Sequence, residues 1–102
     1  MANATLILNT TIGETGATQT LSNDNLNLNK DAFYQVEIGA GDTVVIEGRI
    51  DSSLSFVTLA TVTSNQLQAI KIPNAFRARR TVDGGSADSY VWIQQLDPSR
   101  GL

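Results

Sequence analysis

The chain has 102 residues, of which 41% are hydrophobic, and it carries a formal net charge of −3. A chain of this length and composition builds one hydrophobic core, so we expect a single compact domain. The sequence contains no cysteine and no histidine, which excludes disulfides, thiolate catalysis and histidine-based metal or acid–base sites. The acidic balance argues against nucleic acid as a partner.

The first thirty residues differ in composition from the rest. Candidate strands lie at 4–9 and 17–22, and asparagine then occupies every second position from Asn23 to Asn29, without any aromatic residue. We therefore predict an arm with edge strands over 1–30, followed by the core domain. Two interpretations of the asparagines stay open, a solvated surface segment or an arm that orders against a neighbouring subunit.

Residues 31–102 are predicted to form the core domain. Short β-branched and aromatic stretches recur there at about ten-residue spacing, separated by Gly, Asn, Asp and Ser, and no helical periodicity is evident. Six further strands are predicted, at 32–39, 42–51, 56–64, 67–73, 75–82 and 88–95. Eight short strands favour an all-β fold, an antiparallel β-sandwich or a jelly roll.

Local patterns also predict how five of these strands are placed. The alternating segments 34–38 and 43–50, joined by a Gly-rich turn, predict a hairpin. Residues 56–63 are apolar or threonine on both faces, which is typical of a buried central strand. The Asp83-Gly84-Gly85-Ser86 turn predicts a second hairpin, between 76–82 and 90–93.

The aromatic residues have two possible uses. Tyr34, Tyr90 and Trp92 fit either core packing or a flat platform on which a sugar ring stacks. On the strand that ends the domain, Tyr90 and Trp92 share one face and Val91 and Ile93 the other, so either face fits the core.

Acidic and hydroxyl side chains supply no recognisable catalytic set. Two outward carboxylates, Glu37 and Glu47, are interpreted as solubilising charges or as cross-strand partners of Arg49. The serines have no histidine to activate them. The loop aspartates lack the spacing of a calcium-binding loop, and Asp51 and Asp83 are interpreted as turn residues. We expect no catalytic residue, metal or cofactor, and no enzymatic activity.

Three arginines form the main concentration of positive charge. Arg77, Arg79 and Arg80 lie on one predicted strand, where alternation places Arg77 and Arg79 on the same face. They fit either an exposed face paired with acids of the same chain or a docking patch for an acidic partner surface. These are the candidate partner-binding residues.

The region 42–93 resembles small tailed-phage virion proteins of β-sandwich type. The resemblance is carried by residues 44–53, 56–62, 72–79 and 84–86, followed by an aromatic strand. It implies a capsid decoration (cement) protein on the virion surface, which binds the major capsid protein and forms a homo-oligomer, with a trimer favoured. Such a protein would be made in the host cytoplasm without a membrane segment. The alternative is a carbohydrate- or receptor-binding module of a phage fibre or tail.

Overall fold

Eight strands form two antiparallel four-stranded sheets, which pack face to face as a β-sandwich. A computed structural model describes residues 4–20 and 31–95. The prediction of an all-β sandwich of about eight strands is confirmed. The strands are β1 (Thr5–Asn9), β2 (Gln19–Thr20), β3 (Asp31–Glu37), β4 (Thr43–Arg49), β5 (Val57–Val62), β6 (Gln66–Lys71), β7 (Ala75–Val82) and β8 (Tyr90–Gln95).

The strands alternate between the two sheets along the chain. Sheet A has the order β1-β8-β3-β6 and sheet B the order β2-β7-β4-β5, so consecutive strands change sheet everywhere except at the β4–β5 hairpin. In sheet A, Tyr90 pairs with both Asn9 and Glu37, and in sheet B, Val44 pairs with Val62. The connections that leave β1, β3, β5 and β7 therefore all lie at one end of the sandwich, the crossover end.

Both predicted hairpins are wrong, because their strands lie in different sheets. The turn after β3 carries the chain from sheet A to sheet B, and residues 83–89 carry it back from β7 to β8. Every one of these strands has a single apolar face directed at the common core. Alternation with a period of two residues shows which side chains face the core. The pattern is the same whether the next strand pairs in the same sheet or lies in the facing sheet, so it does not predict a hairpin.

The prediction of a buried central strand over 56–63 is also wrong. β5 is an edge strand of sheet B, and its residues are largely exposed: Val57 is 65% exposed and Leu59 is 40% exposed, whereas only Val62 is fully buried. A bulge opposite Ile46 and Glu47 interrupts its regular pairing with β4. The bulge accounts for the missing alternation, since an extra residue changes which side chains point inward.

The core contains side chains from both sheets, and its composition shows which of the aromatic residues are buried. Tyr34 is buried in it, as are Val91 and Ile93 of β8. Tyr90 and Trp92 consequently point away from the core and are half-buried.

The N-terminal region contributes to the same core. β1 and β2 are edge strands, but Ile7 and Leu8 of β1 are 2% and 1% exposed and belong to the core cluster. A bulge between Leu6 and Leu8 lets two successive side chains face inward. The asparagine repeat at 23–29 lies outside the described residues, and the boundary between arm and domain at residue 30 stays a prediction.

Because β1 fills part of the core, we predict that shortening its buried side chains destabilises the domain. Ile7→Ala should lower the free energy of unfolding by about 2–4 kcal/mol, since it removes apolar burial and leaves a cavity. Ile12→Ala is the matched control, because Ile12 is 86% exposed, and should change stability by less than about 0.5 kcal/mol. Equal urea midpoints for the two variants would show that β1 is dispensable for folding.

Candidate functional site

The outer face of sheet B gathers several arginines, and we call this surface the arginine face. It comprises the outward side chains Glu47 and Arg49 of β4, Arg77 and Arg79 of β7, and the adjoining Phe56. The register of the β4–β7 pair places Glu47 opposite Arg77 and next to Arg79. The prediction that Arg77 and Arg79 share a face is therefore confirmed.

Glu47 is the centre of the arginine face and accepts hydrogen bonds from two guanidinium groups. Arg77 donates through Nε to Oε1 at 2.7 Å, and Arg79 donates through Nη2 to Oε2 at 3.1 Å. The Glu47 side chain is only 4% exposed, because it lies between the two arginine side chains. The expectation that Glu47 is a solubilising charge or a partner of Arg49 is thus wrong, since it is buried and paired with β7.

Phe56 positions the third arginine. Its ring stacks with two guanidinium groups, with Cζ of Arg77 4.0 Å and Cζ of Arg49 4.3 Å from the ring centroid. Such cation–π contacts hold a guanidinium in place without neutralising its charge. Nε of Arg49 is buried without a hydrogen-bond partner among the described residues, and Nη1 reaches the carbonyl oxygen of Leu54 at 3.4 Å.

The arginine face has an excess of positive charge. This face contains three arginines, Arg49, Arg77 and Arg79, and one acidic residue, Glu47, whereas the protein as a whole is acidic. Burial raises the pKa of Glu47, but the hydrogen bonds and charges of Arg79 and Arg77 outweigh it, so the pKa lies below its ordinary value of 4.5. Glu47 is therefore ionised at neutral pH. Its single charge balances one of the three guanidinium groups on this face, and Asp51 in the turn after β4 interacts electrostatically with Arg49, so the positive charge is only partly offset.

Arg80, the third predicted partner-binding residue, belongs to a different cluster. Its side chain is 7% exposed and bonds to three acids: Asp42 at 3.1 Å, Asp83 at 3.2 Å, and Glu14. Alternation places it on the inward face of β7, so it does not join Arg77 and Arg79. For all three arginines, pairing with acids of the same chain is observed, and binding of a partner stays a prediction.

Asp42 links Arg80 to the loops of the crossover end. Its carboxylate accepts hydrogen bonds from the Gly84 amide at 2.7 Å, from Ser89 Oγ at 2.7 Å and from Arg80. Ser89 Oγ in turn accepts from the Gly39 amide at 2.8 Å. Burial raises the pKa of Asp42, but these hydrogen bonds and the Arg80 charge hold it below its ordinary value of 3.8. The cluster ties the β3–β4 and β7–β8 connections together.

Three residues of the arginine face were not identified as site residues from the sequence: Glu47, Arg49 and Phe56. Arg49 was recognisable in part, because it alternates with Glu47 on β4. Phe56 lies before β5, outside any regular strand, so no periodic pattern indicates which way its ring points.

The remaining acidic residues do not form a metal centre in the described part of the chain. Asp51 and Asp83 each accept a backbone amide two residues on, from Ser53 at 2.9 Å and Gly85 at 2.8 Å, which confirms them as turn residues. Within residues 4–20 and 31–95, no group of three or more acidic side chains is arranged to hold a metal ion. The same residues contain no helix of the length and hydropathy needed to cross a membrane.

The outer face of sheet A carries a second, aromatic surface. Phe33, which is 40% exposed, and the half-buried Trp92 lie beside Gln35 and Gln94 around a depression of about 140 Å³. Tyr34 is excluded from this surface because it is buried and its hydroxyl bonds to Gln66 at 2.6 Å. Of the three aromatics predicted as core or platform, Tyr34 is core and the other two face outward.

Comparisons of the chain with protein-family models, curated proteins and solved structures found no match. What the chain does must therefore be inferred from its own contacts and charges.

The lowered carboxyl pKa values of Asp42, Glu47 and Asp51 predict a loss of stability in acid. A carboxyl whose folded pKa is below its unfolded pKa stabilises the fold above the unfolded value, and this stabilisation is lost as the pH falls through the folded value. Urea unfolding of the wild type should therefore show a free energy that falls below about pH 4.5, the ordinary pKa of Glu47. Glu47→Gln should be less stable at pH 7 and should lose part of this pH dependence.

Glu37→Gln is the matched control, because Glu37 is an exposed outward residue of β3. It should retain the wild-type slope between pH 5 and pH 2, a range spanning the ordinary carboxyl values. Identical slopes in the wild type and in Glu47→Gln would contradict an ionised, arginine-paired Glu47.

Proposed function

We propose that this protein is a structural binding protein that attaches through the arginine face to an acidic protein surface. The main support for this proposal is that the buried Glu47 carboxylate accepts hydrogen bonds from two guanidinium groups, whereas the third, that of Arg49, stacks on the ring of Phe56. The acid that balances the remaining charge would come from the partner. A flat sheet face presenting fixed cations suits electrostatic docking, which sets orientation and association rate.

The guanidinium groups retain donors for such a partner. A guanidinium has five N–H donors. Arg77 uses only Nε toward Glu47, and its side chain is 29% exposed; Arg79 uses Nε and Nη2, and its side chain is 40% exposed. Glu47 orients both groups by binding their inner edges. Their outer N–H groups are directed away from the carboxylate and can bind a partner's carboxylate.

The partner we propose is the major capsid protein of a tailed phage, so that the chain acts as a capsid decoration protein on the virion. This part of the proposal is supported by the resemblance of residues 42–93 to small virion proteins. A lattice repeats the same acidic surface many times, so contacts that are weak singly become strong when an oligomer engages several at once. The resemblance favours a trimer, whereas the open sheet edges described in the next subsection favour a dimer, and sedimentation of the purified protein distinguishes the two.

Add-back binding to heads tests this function. Heads lacking the protein are mixed with purified protein, and co-sedimentation measures the affinity. Arg49→Gln should weaken binding by about two- to fivefold, equivalent to the 0.5–1 kcal/mol of an exposed ion pair, and Arg49→Gln/Arg79→Gln by more. Both should reduce the salt dependence of binding. Arg77 stays in place in these variants to keep Glu47 paired.

Lys71→Gln is the matched control for this experiment. Lys71 is an 84% exposed cation of sheet A whose loss changes the net charge by the same amount as Arg49→Gln. We expect it to bind heads like the wild type. Equal weakening by Lys71→Gln would indicate a general charge effect, and unchanged binding by the arginine variants would remove the arginine face as the docking surface.

The aromatic surface of sheet A favours a second candidate function, carbohydrate binding by a fibre or tail module. An exposed ring beside amide side chains is the arrangement that stacks on a sugar and hydrogen bonds its hydroxyls. Under this alternative, Phe33→Ala should abolish glycan binding in an array or calorimetric titration while the fold survives. Under the decoration proposal, Phe33→Ala binds heads like the wild type. The wild type itself then binds no glycan in the array or titration.

A further inference from the structure

One long segment of the chain carries no charge at all. From Ser52 to Ile70, nineteen consecutive residues include no Asp, Glu, Lys or Arg, although 17% of the whole sequence is charged. This uncharged segment contains all of β5 and nearly all of β6. Both strands therefore present almost no charge to their surroundings, Lys71 at the end of β6 being the exception.

β5 and β6 are the edge strands of the two sheets, and they lie on the same side of the sandwich. β5 ends the order of sheet B and β6 ends the order of sheet A, each with six residues. No other described strand pairs with their outer edges. Native proteins usually protect such edges with charged residues or proline, and β5 contains neither.

The opposite side of the sandwich is closed by the chain itself. Residues 14–20 run along β7, where the Gly16 amide donates to the Ala78 carbonyl at 2.9 Å and β2 completes the pairing. A Cβ at Gly16 would lie 1.8 Å from the carbonyl oxygen of Ile7, so the segment also passes directly against β1. The described residues thus cover one pair of edges and leave the β5–β6 pair open.

The open side also exposes apolar side chains. Val57 is 65% exposed and Leu67 is 61% exposed on the two edge strands. Beside them, a groove of about 420 Å³ is lined mainly by apolar side chains, among them Leu59, Ile72 and Pro73, together with Arg49 and Lys71. Exposed apolar side chains grouped in this way are typical of the centre of a protein–protein interface.

We propose that a second copy of this chain covers the β5–β6 side, related by a two-fold axis perpendicular to the sheets. The axis would pair β5 with its own copy and β6 with its own copy, both antiparallel, so that each sheet gains four strands. Because β5 and β6 have the same length and lie on the same side, one two-fold rotation can pair the open backbone groups of both strands.

The missing charges favour a copy of the chain over a different partner. Across a two-fold axis each residue near the axis meets itself, so any charge on these edges would oppose a like charge. A different protein could instead supply complementary charges, and an uncharged edge would be unnecessary. The inference concerns self-association alone and holds whether or not the protein binds a capsid.

The two-fold arrangement would also bear on docking. A rotation about an axis perpendicular to the sheets leaves both arginine faces on the same side of the dimer. Two such faces could engage a repeating surface together, and the second contact would benefit from a high effective concentration.

Sedimentation velocity of the purified protein alone tests the interface. The wild type should sediment with twice the chain mass of 10.9 kDa at about 100 µM, within the range of weak interfaces. Val57→Lys/Leu67→Lys should sediment as a monomer, because each copy would bring two lysines without acidic partners into the apolar interface. The control Ile12→Lys/Val82→Lys adds the same charge at residues that are 86% and 51% exposed outside the edge strands, and should remain dimeric. A monomeric wild type, a trimer, or a dimer that survives the edge lysines would overturn the proposal.

Hydrogen–deuterium exchange tests the same interface in the wild type alone, so the result is not affected by whether a variant folds. Raising the concentration from about 1 to 100 µM should slow amide exchange in 57–62 and 66–71, because paired edge amides become protected. Exchange in the central strand β7 should not change with concentration. Protection that does not depend on concentration, or that rises elsewhere, would contradict pairing at this edge.

Discussion

The structure depends on one constraint: two of the chain's crossings between the sheets, β3–β4 and β7–β8, meet at the buried carboxylate of Asp42. Its partners come from both sides of the sandwich: Arg80 from sheet B, and Gly84 and Ser89 from the connection that returns to sheet A. Ser89 extends the cluster to β1, since its amide donates to Thr10 Oγ1 at 2.8 Å. A buried charge is costly unless its hydrogen bonds are made, so these loops hold one arrangement.

The position of the arginine face follows from this constraint. The Asp42–Arg80 ion pair joins the start of β4 to β7 where Val44 pairs with Arg80, and the same register brings Glu47 opposite Arg77. A slip of one residue would turn the outward side chains toward the core, because successive side chains point to opposite faces. The buried cluster and the arginine face thus lie on the two faces of one strand pair, and the first fixes the geometry of the second.

Local chemistry made the strands predictable, whereas their partners depend on long-range contacts. The alternation of Val44 and Ile46, and the shared face of Arg77 and Arg79, are visible in the sequence and hold in the structure. Alternation also grouped Arg80 with the buried face of its strand. What could not be predicted was which strand each one joins: Glu47 meets Arg77 thirty residues away, and β5 lies at the edge of sheet B because the next strand, β6, joins sheet A.

The most direct test of a decoration protein that docks through sheet B is a cryo-electron microscopy map of virions that carry the protein. The proposed function predicts density on the head lattice, with the outer face of sheet B against the shell and Arg49, Arg77 and Arg79 opposite acidic residues of the major capsid protein. Density confined to the tail, or a head-bound molecule with sheet A against the shell, would contradict it.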